Sequence, residues 1–376
     1  MRSTRRGVMA LLAGGAFAPA LSACAQGPDP AAAWRDPGAG ETDLRRFALA
    51  HAILAPNPHN RQPWLAELIG ADELVLHVDL ERLLPATDPF DRQIVLGCGA
   101  FLELLDLAAR ARGRSAEITL WPEGEPQPRL DTRPIAHVRF TEDGAARDPL
   151  FAHIRARRTN REPYEARAVA EADLRAITEA AGGGFAYGWA NGGALRAQLR
   201  TLAWDGFEKE IRTPAAYRES VDLMRIGAAE IAAHRDGLVL DGPMIELARA
   251  VGLLNRATLL DLDNTFTWGG IEAFRPLALE APAFIWFTSA DNSRATQIAA
   301  GRAYARLNLA ATARGLAMHP WSQALQEYPE MAALHAQAET LMNAPGEARA
   351  QMFVRVGYGP RIGPSPRRGL GEHLSA

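Results

Sequence analysis

Apolar residues recur along much of the chain at the three- and four-residue spacing of an amphipathic helix. Thr42 and Asp43 precede one such helix at 44–54, and an acidic start at 171–173 precedes another at 174–181. The runs IAHVRF at 135–140 and MFVRV at 352–356 are instead typical of strands. The pattern predicts a chain that mixes helices and strands.

Two of the helical segments resemble each other. GAFLELLDLAARARG at 99–113 and GRAYARLNLAATARG at 301–315 agree at eight of fifteen positions with a constant offset of 202. Chance similarity between two alanine-rich helices is the alternative. Each copy ends in Arg-Gly, typical of a helix C-terminus, and is followed by a strand that contains Val-Arg. We therefore predict an internal duplication with halves at 40–145 and 146–363, followed by a tail at 364–376.

The second half is longer because of an insertion at about 203–274. Its pattern is mainly helical but is interrupted by Pro214, Gly237 and Pro243. An insertion within a repeated unit is a candidate lid, and a packing excursion is the alternative.

The first 26 residues have the layout of an export signal. Arg2, Arg5 and Arg6 precede a stretch of apolar and small residues at 8–21 that is too short for a permanent membrane span. The start resembles a twin-arginine signal, and LSAC at 21–24 resembles a lipobox, which would place a lipid on Cys24. We expect an exported, periplasmic or cell-envelope lipoprotein. Twin-arginine export moves folded proteins, so it suits a protein that receives a cofactor first.

Composition narrows the classes of function. The 41 basic and 44 acidic residues are mixed along the 376-residue chain and give a net charge of -3, so nucleic acid is not an expected partner. Besides Cys24 there is only Cys98, in an apolar run, where we expect a buried core thiol and no disulfide. The chain contains no GxSxG, HExxH, P-loop or CxxC motif, so hydrolase and metal sites are unsupported.

Two motifs carry candidate chemistry. APNPHNRQPW at 55–64 predicts a loop whose amide side chains are free to bond a planar heterocycle, with Trp64 as an aromatic wall. RRTNREPY at 157–164 places three guanidinium groups and a hydroxyl within five residues, which suits a phosphate. When each motif is considered alone, the alternative for the first is an ordinary turn, and the alternative for the second is a solvated basic helix end. His59 is a tempting acid, but a loop histidine without a catalytic part is the favoured interpretation.

Together these motifs resemble those of the nitroreductase superfamily, and with the export signal they resemble its Acg-like FMN-binding branch, over about residues 40–368. The resemblance implies an α+β fold: two FMN-dependent nitroreductase-like units that form a pseudo-dimer in one chain, with a helical lid insertion. The first half lacks the arginine segment, and the second half reads GGGFAY at 182–187 where the loop is expected. The division leaves one FMN site between the halves.

The resemblance also assigns site residues by position. The phosphate and ribityl chain would meet the arginine segment and the C-terminal arginines, the ring would meet the first loop, and the segment at 316–321 would pass its N5 edge. Asn57 and Pro58 stand where the family commonly has two serines, which puts individual ring contacts in doubt. The resemblance identifies no catalytic residue and no metal ligand. The implied cofactor-binding residues are Arg157, Arg158, Thr159, Arg161, Pro56, Asn57, Pro58, Asn60, Gln62, Met318, His319, Arg367 and Arg368.

The function implied is ping-pong transfer of hydride or electrons through flavin N5, between a small-molecule donor and a small acceptor. Because the subunit interface would lie within one chain, we expect a monomer that contacts the membrane only through its lipid. Two alternatives stay open: a flavin-binding or flavin-storage lipoprotein with a lid-covered site, and a binding or scaffold lipoprotein with a decayed site.

Overall fold

The computed structural model describes residues 27–375. The predicted export signal at 1–26, with its lipidation site Cys24, lies outside the described residues. Within the described part, no helix is both long enough and apolar enough to cross a membrane.

The first half consists of a short leading helix, an antiparallel sheet and the helices that cover it. The sheet has the strand order β1-β2-β4-β3. Its elements are α1 (Ala32–Arg35), α2 (Leu44–Ala52), β1 (Trp64–Ile69), β2 (Glu73–Val78), α3 (Arg92–Ala111), β3 (Ser115–Leu120) and β4 (Ala136–Thr141).

The second half repeats this path around an insertion. Its core elements are α4 (Glu171–Ala181), β5 (Ala186–Ala190), β8 (Ala283–Ser289), α12 (Arg294–Ala313), β9 (Ala317–Pro320), α13 (Ala332–Leu341) and β10 (Arg349–Gly357). The insertion contributes α5 (Gly193–Arg212), α6 (Pro214–Asp222), β6 (Met224–Ile226), α7 (Gly227–His234), β7 (Leu238–Leu240), α8 (Pro243–Ala250), α9 (Arg256–Leu260), α10 (Thr265–Glu272) and α11 (Arg275–Leu279). The antiparallel order β5-β8-β10-β9 matches the first sheet strand for strand. The predicted α+β duplication is confirmed.

The two long helices α3 and α12 cross where matched glycines meet. A Cβ added to Gly99 would lie 2.1 Å from the carbonyl oxygen of Ile298, and one added to Gly301 would lie 1.9 Å from that of Leu96. Gly99 and Gly301 are the first matched pair of the repeat, so equivalent positions face each other, as in a two-fold dimer. Only glycine lets the two backbones approach this closely.

The equivalence extends to the start of each long helix. Arg92 begins α3 and Arg294 begins α12, again 202 positions apart, and both side chains are buried. Arg92 donates to the carbonyl of Leu325, and Arg294 donates to those of Pro126 and Pro128. Arg92 therefore joins α3 to the segment after β9, and Arg294 joins α12 to the segment after β3.

The insertion occupies residues 191–282, wider than the predicted 203–274, because its first helix begins ahead of Ala203 and its last helix follows Phe274. It joins β5 to β8, where the first half has only a tight hairpin between β1 and β2. It is helical apart from β6 and β7, which pair in parallel. Every residue of β8 is buried because both faces of the second sheet are covered. Phe284 and Trp286 face the insertion, whereas the alternate residues Ile285 and Phe287 face the core shared with the first half.

The C-terminal tail crosses to the first half. Leu374 bridges to Ala66 in β1, and the ring of His373 bonds to the carbonyl of Trp64. Trp64 is 1% exposed and packs on Phe101. It belongs to the core, so the expectation of an aromatic wall at the site was wrong.

Candidate functional site

A cavity of about 330 Å³ lies where the first half, the second half and the insertion meet. This size is at the lower end of what small-molecule sites need. The first half contributes the loop after α2 and the start of α3, and the second half contributes the segment after β9. The insertion supplies a largely apolar wall, which includes Phe207, Ile211, Met224, Leu240, Ile271 and Phe274.

The loop at 55–63 forms one side of the cavity and has an unusual backbone. Pro56, Asn57 and Pro58 line the cavity. His59 and Asn60 have φ angles of 48° and 51°, in the left-handed region that non-glycine residues seldom adopt. Such backbone conformations often occur at functional sites, held by the surrounding structure.

Two further loop residues named from the sequence face the protein and hold this backbone. Asn60 accepts from Arg367 and donates to the carbonyl of Pro366. Gln62 is fully buried, donates to the carbonyl of Arg235 and accepts from the backbone of Arg368. Neither Asn60 nor Gln62 lines the cavity. They fasten the loop to the tail and to the insertion.

A cluster of arginines lies behind the loop. Arg157, Arg158 and Arg367 surround the ring of Trp34, with guanidinium carbons 5.8, 4.7 and 5.2 Å from its centroid. Arg157 donates to the carbonyl of Leu54, and Arg367 donates to those of Ile53 and Ala55. The two motifs therefore meet, because the arginines bond directly to the backbone that leads into the loop.

The charge of this cluster is not compensated. Within residues 27–375, no carboxylate pairs with Arg157, Arg158 or Arg367, and Nε and Nη1 of Arg157 have no hydrogen-bond partner. Burial lowers the pKa of Arg157 to about 10 and lowers the pKa of Arg367 well below its usual value. Buried cations normally have a partner. Two donors of Arg157 remain free, and guanidinium donors of this kind suit an oxyanion such as a phosphate.

Arg161 and Thr159 lie on the cavity side of the same segment. Burial by the protein around the cavity lowers the pKa of Arg161. Tyr304 also lines the cavity, and its hydroxyl accepts from the side-chain amide of Asn308. Arg157, Arg158 and Arg367 do not line the cavity. Arg368 lies apart, where it bonds to Glu372.

The segment after α12 runs beside the arginine segment. The carbonyl of Met318 accepts from the backbone of Asn160, and His319 lines the cavity. Arg355 donates from Nε to Nδ1 of His319 at 3.1 Å, so Nδ1 is an acceptor and the ring proton lies on Nε2. Burial, with Arg355 and Arg161 nearby, lowers the pKa of His319 well below 6.5. The histidine is therefore neutral. Met318 is buried and does not line the cavity.

A chain of polar side chains crosses from the loop to the insertion. Nε2 of His59 lies 3.0 Å from the Ser220 hydroxyl, which donates to Glu210 at 3.1 Å, and Glu210 also accepts from Gln326 at 2.8 Å. All four residues line the cavity. Burial raises the pKa of Glu210 to about 7, and burial together with Arg161 and Arg61 lowers that of His59 to about 4.

Four residues near the arginine cluster and the cavity were not predicted from the sequence: Trp34, Tyr304, Ser220 and Glu210. Tyr304 lies within the repeated helix, and its distance of four positions from Asn308, with which it bonds, was readable from the sequence. The other three residues lie in the leading segment or the insertion and gave no local signal. No group of three or more metal-binding side chains occurs within residues 27–375.

No protein-family model matches this chain. The chain is 36% identical over 129 residues to an uncharacterized protein of Mycobacterium tuberculosis strain H37Rv, a stretch that covers 32% of this chain and 36% of that protein. It is 35% identical over 125 residues to a protein of the same strain provisionally named NAD(P)H nitroreductase acg, covering 33% of this chain and 36% of that one. These matches span about a third of each relative.

A third protein of that strain, also provisionally named an NAD(P)H nitroreductase, is 25% identical over 350 residues, or 88% of this chain and 91% of its own. Among solved structures, the FMN-dependent nitroreductase NfnB from Mycobacterium smegmatis in complex with NADPH overlaps 57% of this chain and 92% of its own, at 19% identity and a TM-score of 0.36. A superposition this loose carries no inference about the site. Over most of its length, the chain is similar to a protein provisionally named an NAD(P)H nitroreductase.

Proposed function

We propose that this chain is an FMN-binding oxidoreductase of nitroreductase type. The observation that carries the proposal is the buried pair Arg157 and Arg367, which has no carboxylate partner within residues 27–375 and bonds to the backbone leading into the loop that lines the cavity at Pro56, Asn57 and Pro58. The residues present suit the cofactor, because they offer guanidinium donors for a phosphate and a partly apolar space for a ring system. The names of the similar proteins, which refer to nitroreductases and NAD(P)H, support the same class of reaction.

The residues of the chain have distinct roles in this proposal. Arg157 and Arg161 would hold the phosphate, and Thr159 would bond the ribityl chain. The loop at 56–58 would cover the ring, with His319 near its edge. FMN, when bound, would take up an electron pair from a donor and pass it to an acceptor at N5. The protein would contribute placement and charge, and the insertion would exclude water from the cavity.

Transfer to an organic acceptor also needs a proton, and Glu210 is placed to supply one. Its pKa of about 7 leaves it partly protonated near neutral pH. When Glu210 is protonated, its carboxyl proton can be donated to the Ser220 oxygen, and the Ser220 hydroxyl can in turn donate to Nε2 of His59, so the chain of bonds carries a proton from Glu210 to the loop beside the cavity. We infer that Glu210 acts as a proton reservoir for the cavity.

We also propose that the chain is exported with a lipid on Cys24, and that it is a monomer with one site.

We propose further that the insertion acts as a lid over the cavity. Several bonds hold the insertion to the first half. Among them, Gln62 donates to the carbonyl of Arg235, Arg82 pairs with Asp236, and Glu219 accepts from Thr87. Opening would have to break several of these bonds, so we expect it to be slow.

The cofactor is tested by the absorption spectrum of the purified chain and by its FMN affinity. Arg157→Ala should weaken FMN binding at least about tenfold, because a buried bond from a charged group contributes roughly 1.5–3 kcal/mol. Arg175→Ala removes an exposed arginine on α4 and should have no effect. Stoichiometric FMN retained through purification of the Arg157 variant would contradict the assignment.

Turnover is tested separately by rapid mixing of the FMN-loaded chain with NADH, NADPH, a quinol or dithionite. Reduction by a physiological donor, followed by reoxidation with an added nitroaromatic or quinone, would support an enzyme. If only dithionite reduced the flavin, the chain would be a flavin-binding protein without turnover, and the proposed enzyme activity would be contradicted.

A further inference from the structure

Large apolar side chains are exposed on one surface of the insertion. Helix α8 is amphipathic: Ile245 and Ala248 are buried, whereas Met244 is 47% and Leu247 is 55% exposed. The exposed apolar residues of this segment, which we call the α8 surface, are Val239, Met244, Leu247, Val251 and Leu253. Only two other large apolar residues of the described chain, Leu80 and Phe90, are similarly exposed. Grouped apolar exposure of this kind marks an interaction surface.

The beginning of the described chain packs on α7, the helix that contacts α8. A Cβ added to Gly27 would lie 3.0 Å from the Cβ of Ala232 in α7, so Gly27 packs directly on that helix. Helix α7 is joined to α8, because Glu246 accepts from the backbone of Ala228 at 2.7 Å. Cys24 precedes Gly27 by three positions, which span at most about 11 Å. A lipid on Cys24 would therefore leave the protein close to the α8 surface.

We propose that the α8 surface docks on a phospholipid bilayer, on the same side of the molecule from which the lipid anchor emerges. The proposal rests on the proposed lipidation for its biological setting, and it replaces the expectation that the lipid is the only membrane contact. The anchor would confine the surface near the bilayer and strengthen docking, but the apolar contacts alone should hold the chain on vesicles at high lipid concentration.

The charges around the α8 surface indicate which bilayer it fits. Glu246 and Arg249 pair with each other on α8, and the adjacent Arg256 pairs with Glu230. The surface therefore has no excess of basic side chains that would select anionic lipids. Docking should depend on apolar burial, and it should change little with salt or with the fraction of anionic lipid.

Docking would also orient the cavity. Val239 belongs to the α8 surface and lines the cavity, and its neighbours Leu238 and Leu240 line it too. The rim of the cavity would then lie at the bilayer surface. An apolar acceptor or donor dissolved in the lipid would reach the site without crossing water.

The test uses the chain from residue 24 onward with Cys24→Ser, which has neither the acylation site nor the apolar stretch at 8–21, and phosphatidylcholine vesicles separated by flotation. This chain should bind the vesicles, and the additional pair Leu247→Glu and Val251→Glu should weaken binding at least about tenfold, because charged side chains disfavour insertion into the bilayer. The matched control is the pair Leu80→Glu and Phe90→Glu, which places the same charges on exposed apolar positions of the first half. Binding by the control should be unchanged.

Three outcomes would overturn the proposal: no vesicle binding by the Cys24→Ser chain, equal loss in the control pair, or a dimer in sedimentation that the α8 pair dissociates. The last outcome would make the α8 surface an interface between two copies. The flavin absorbance of each sample is recorded in parallel. A colourless chain that still binds vesicles would contradict the proposed function but not the docking surface.

Discussion

The guanidinium of Arg157 is buried at 2% exposure, and two of its nitrogens are unpaired within residues 27–375. A structural arginine would normally have its donors satisfied, so we expect Arg157 to serve a ligand rather than stability. We expect Arg157→Met to raise the free energy of unfolding of the cofactor-free chain by about 1 kcal/mol while weakening FMN binding. Urea unfolding without cofactor and FMN titration measure the two effects. A large loss of stability would show that the arginine is structural.

Glu210 gives a pH-dependent prediction. Its pKa is raised from 4.5 to about 7, so the folded chain holds a proton that the unfolded chain releases between these values. The contribution of Glu210 to stability therefore falls as pH rises from 4.5 to 7 and stays low above 7. Glu210→Gln should change little at pH 4.5 and should stabilise the cofactor-free chain by up to about 3 kcal/mol at pH 8.

The measurement is the urea midpoint of unfolding at the two pH values. Glu208→Gln is the control, because Glu208 lies on the same helix and pairs with Arg212 at the surface. Equal stabilisation by Glu210→Gln at both pH values would contradict the argument. The same variant should also remove a step near pH 7 from the pH profile of flavin reoxidation.

Individual residues could be predicted only where a motif named them. Arg161 and Asn57 were identified from two short motifs, and the structure brings both to one cavity. Asn60 and Gln62 belong to the same loop motif, but they bond to Arg367 and Arg368 more than 300 positions away. A motif shows which side chains occur together, whereas the direction that each one faces depends on the distant chain packed behind it.

At the scale of elements, the crossing of α3 and α12 is the contact most sensitive to size. Gly99→Ala or Gly301→Ala would place a methyl group against the backbone of the other helix. Each substitution should destabilise the chain by about 1–3 kcal/mol or more, because the two helices must move apart. Gly183→Ala is the control, since a Cβ there meets nothing within 4 Å. Thermal unfolding compares the three variants, and equal melting temperatures would contradict the close crossing.

Elements were predictable where local pattern decides. Helices at 44–54 and 174–181 and strands at 135–140 and 352–356 are present as α2, α4, β4 and β10, with ends that differ by a few residues. The pairing of the strands was not predictable from pattern alone, because it depends on the repeat as a whole. Arg92 and Arg294 carried a further signal, since they keep the offset of 202 just outside the matched segment.

At the scale of the whole molecule, the two halves share a single core that includes Leu105, Leu307 and the faces of both sheets. The contact between the two halves, which in a two-fold dimer would be a subunit interface, lies within this one chain. The chain should therefore sediment as a monomer, with a melting temperature that does not depend on protein concentration. A stable dimer, or a melting temperature that rises with concentration, would contradict this prediction.

The paired glycines at the helix crossing have a consequence for how such a chain changes over generations. In a dimer of two identical copies, a substitution at the two-fold axis is present in both subunits, so that the substituted residue contacts the same residue of the other copy. In this chain a substitution at Gly99 leaves Gly301 as it was, so each side of the axis is inherited separately. One half is thereby free to acquire a long excursion between its first two strands while the other keeps a tight turn at the same place.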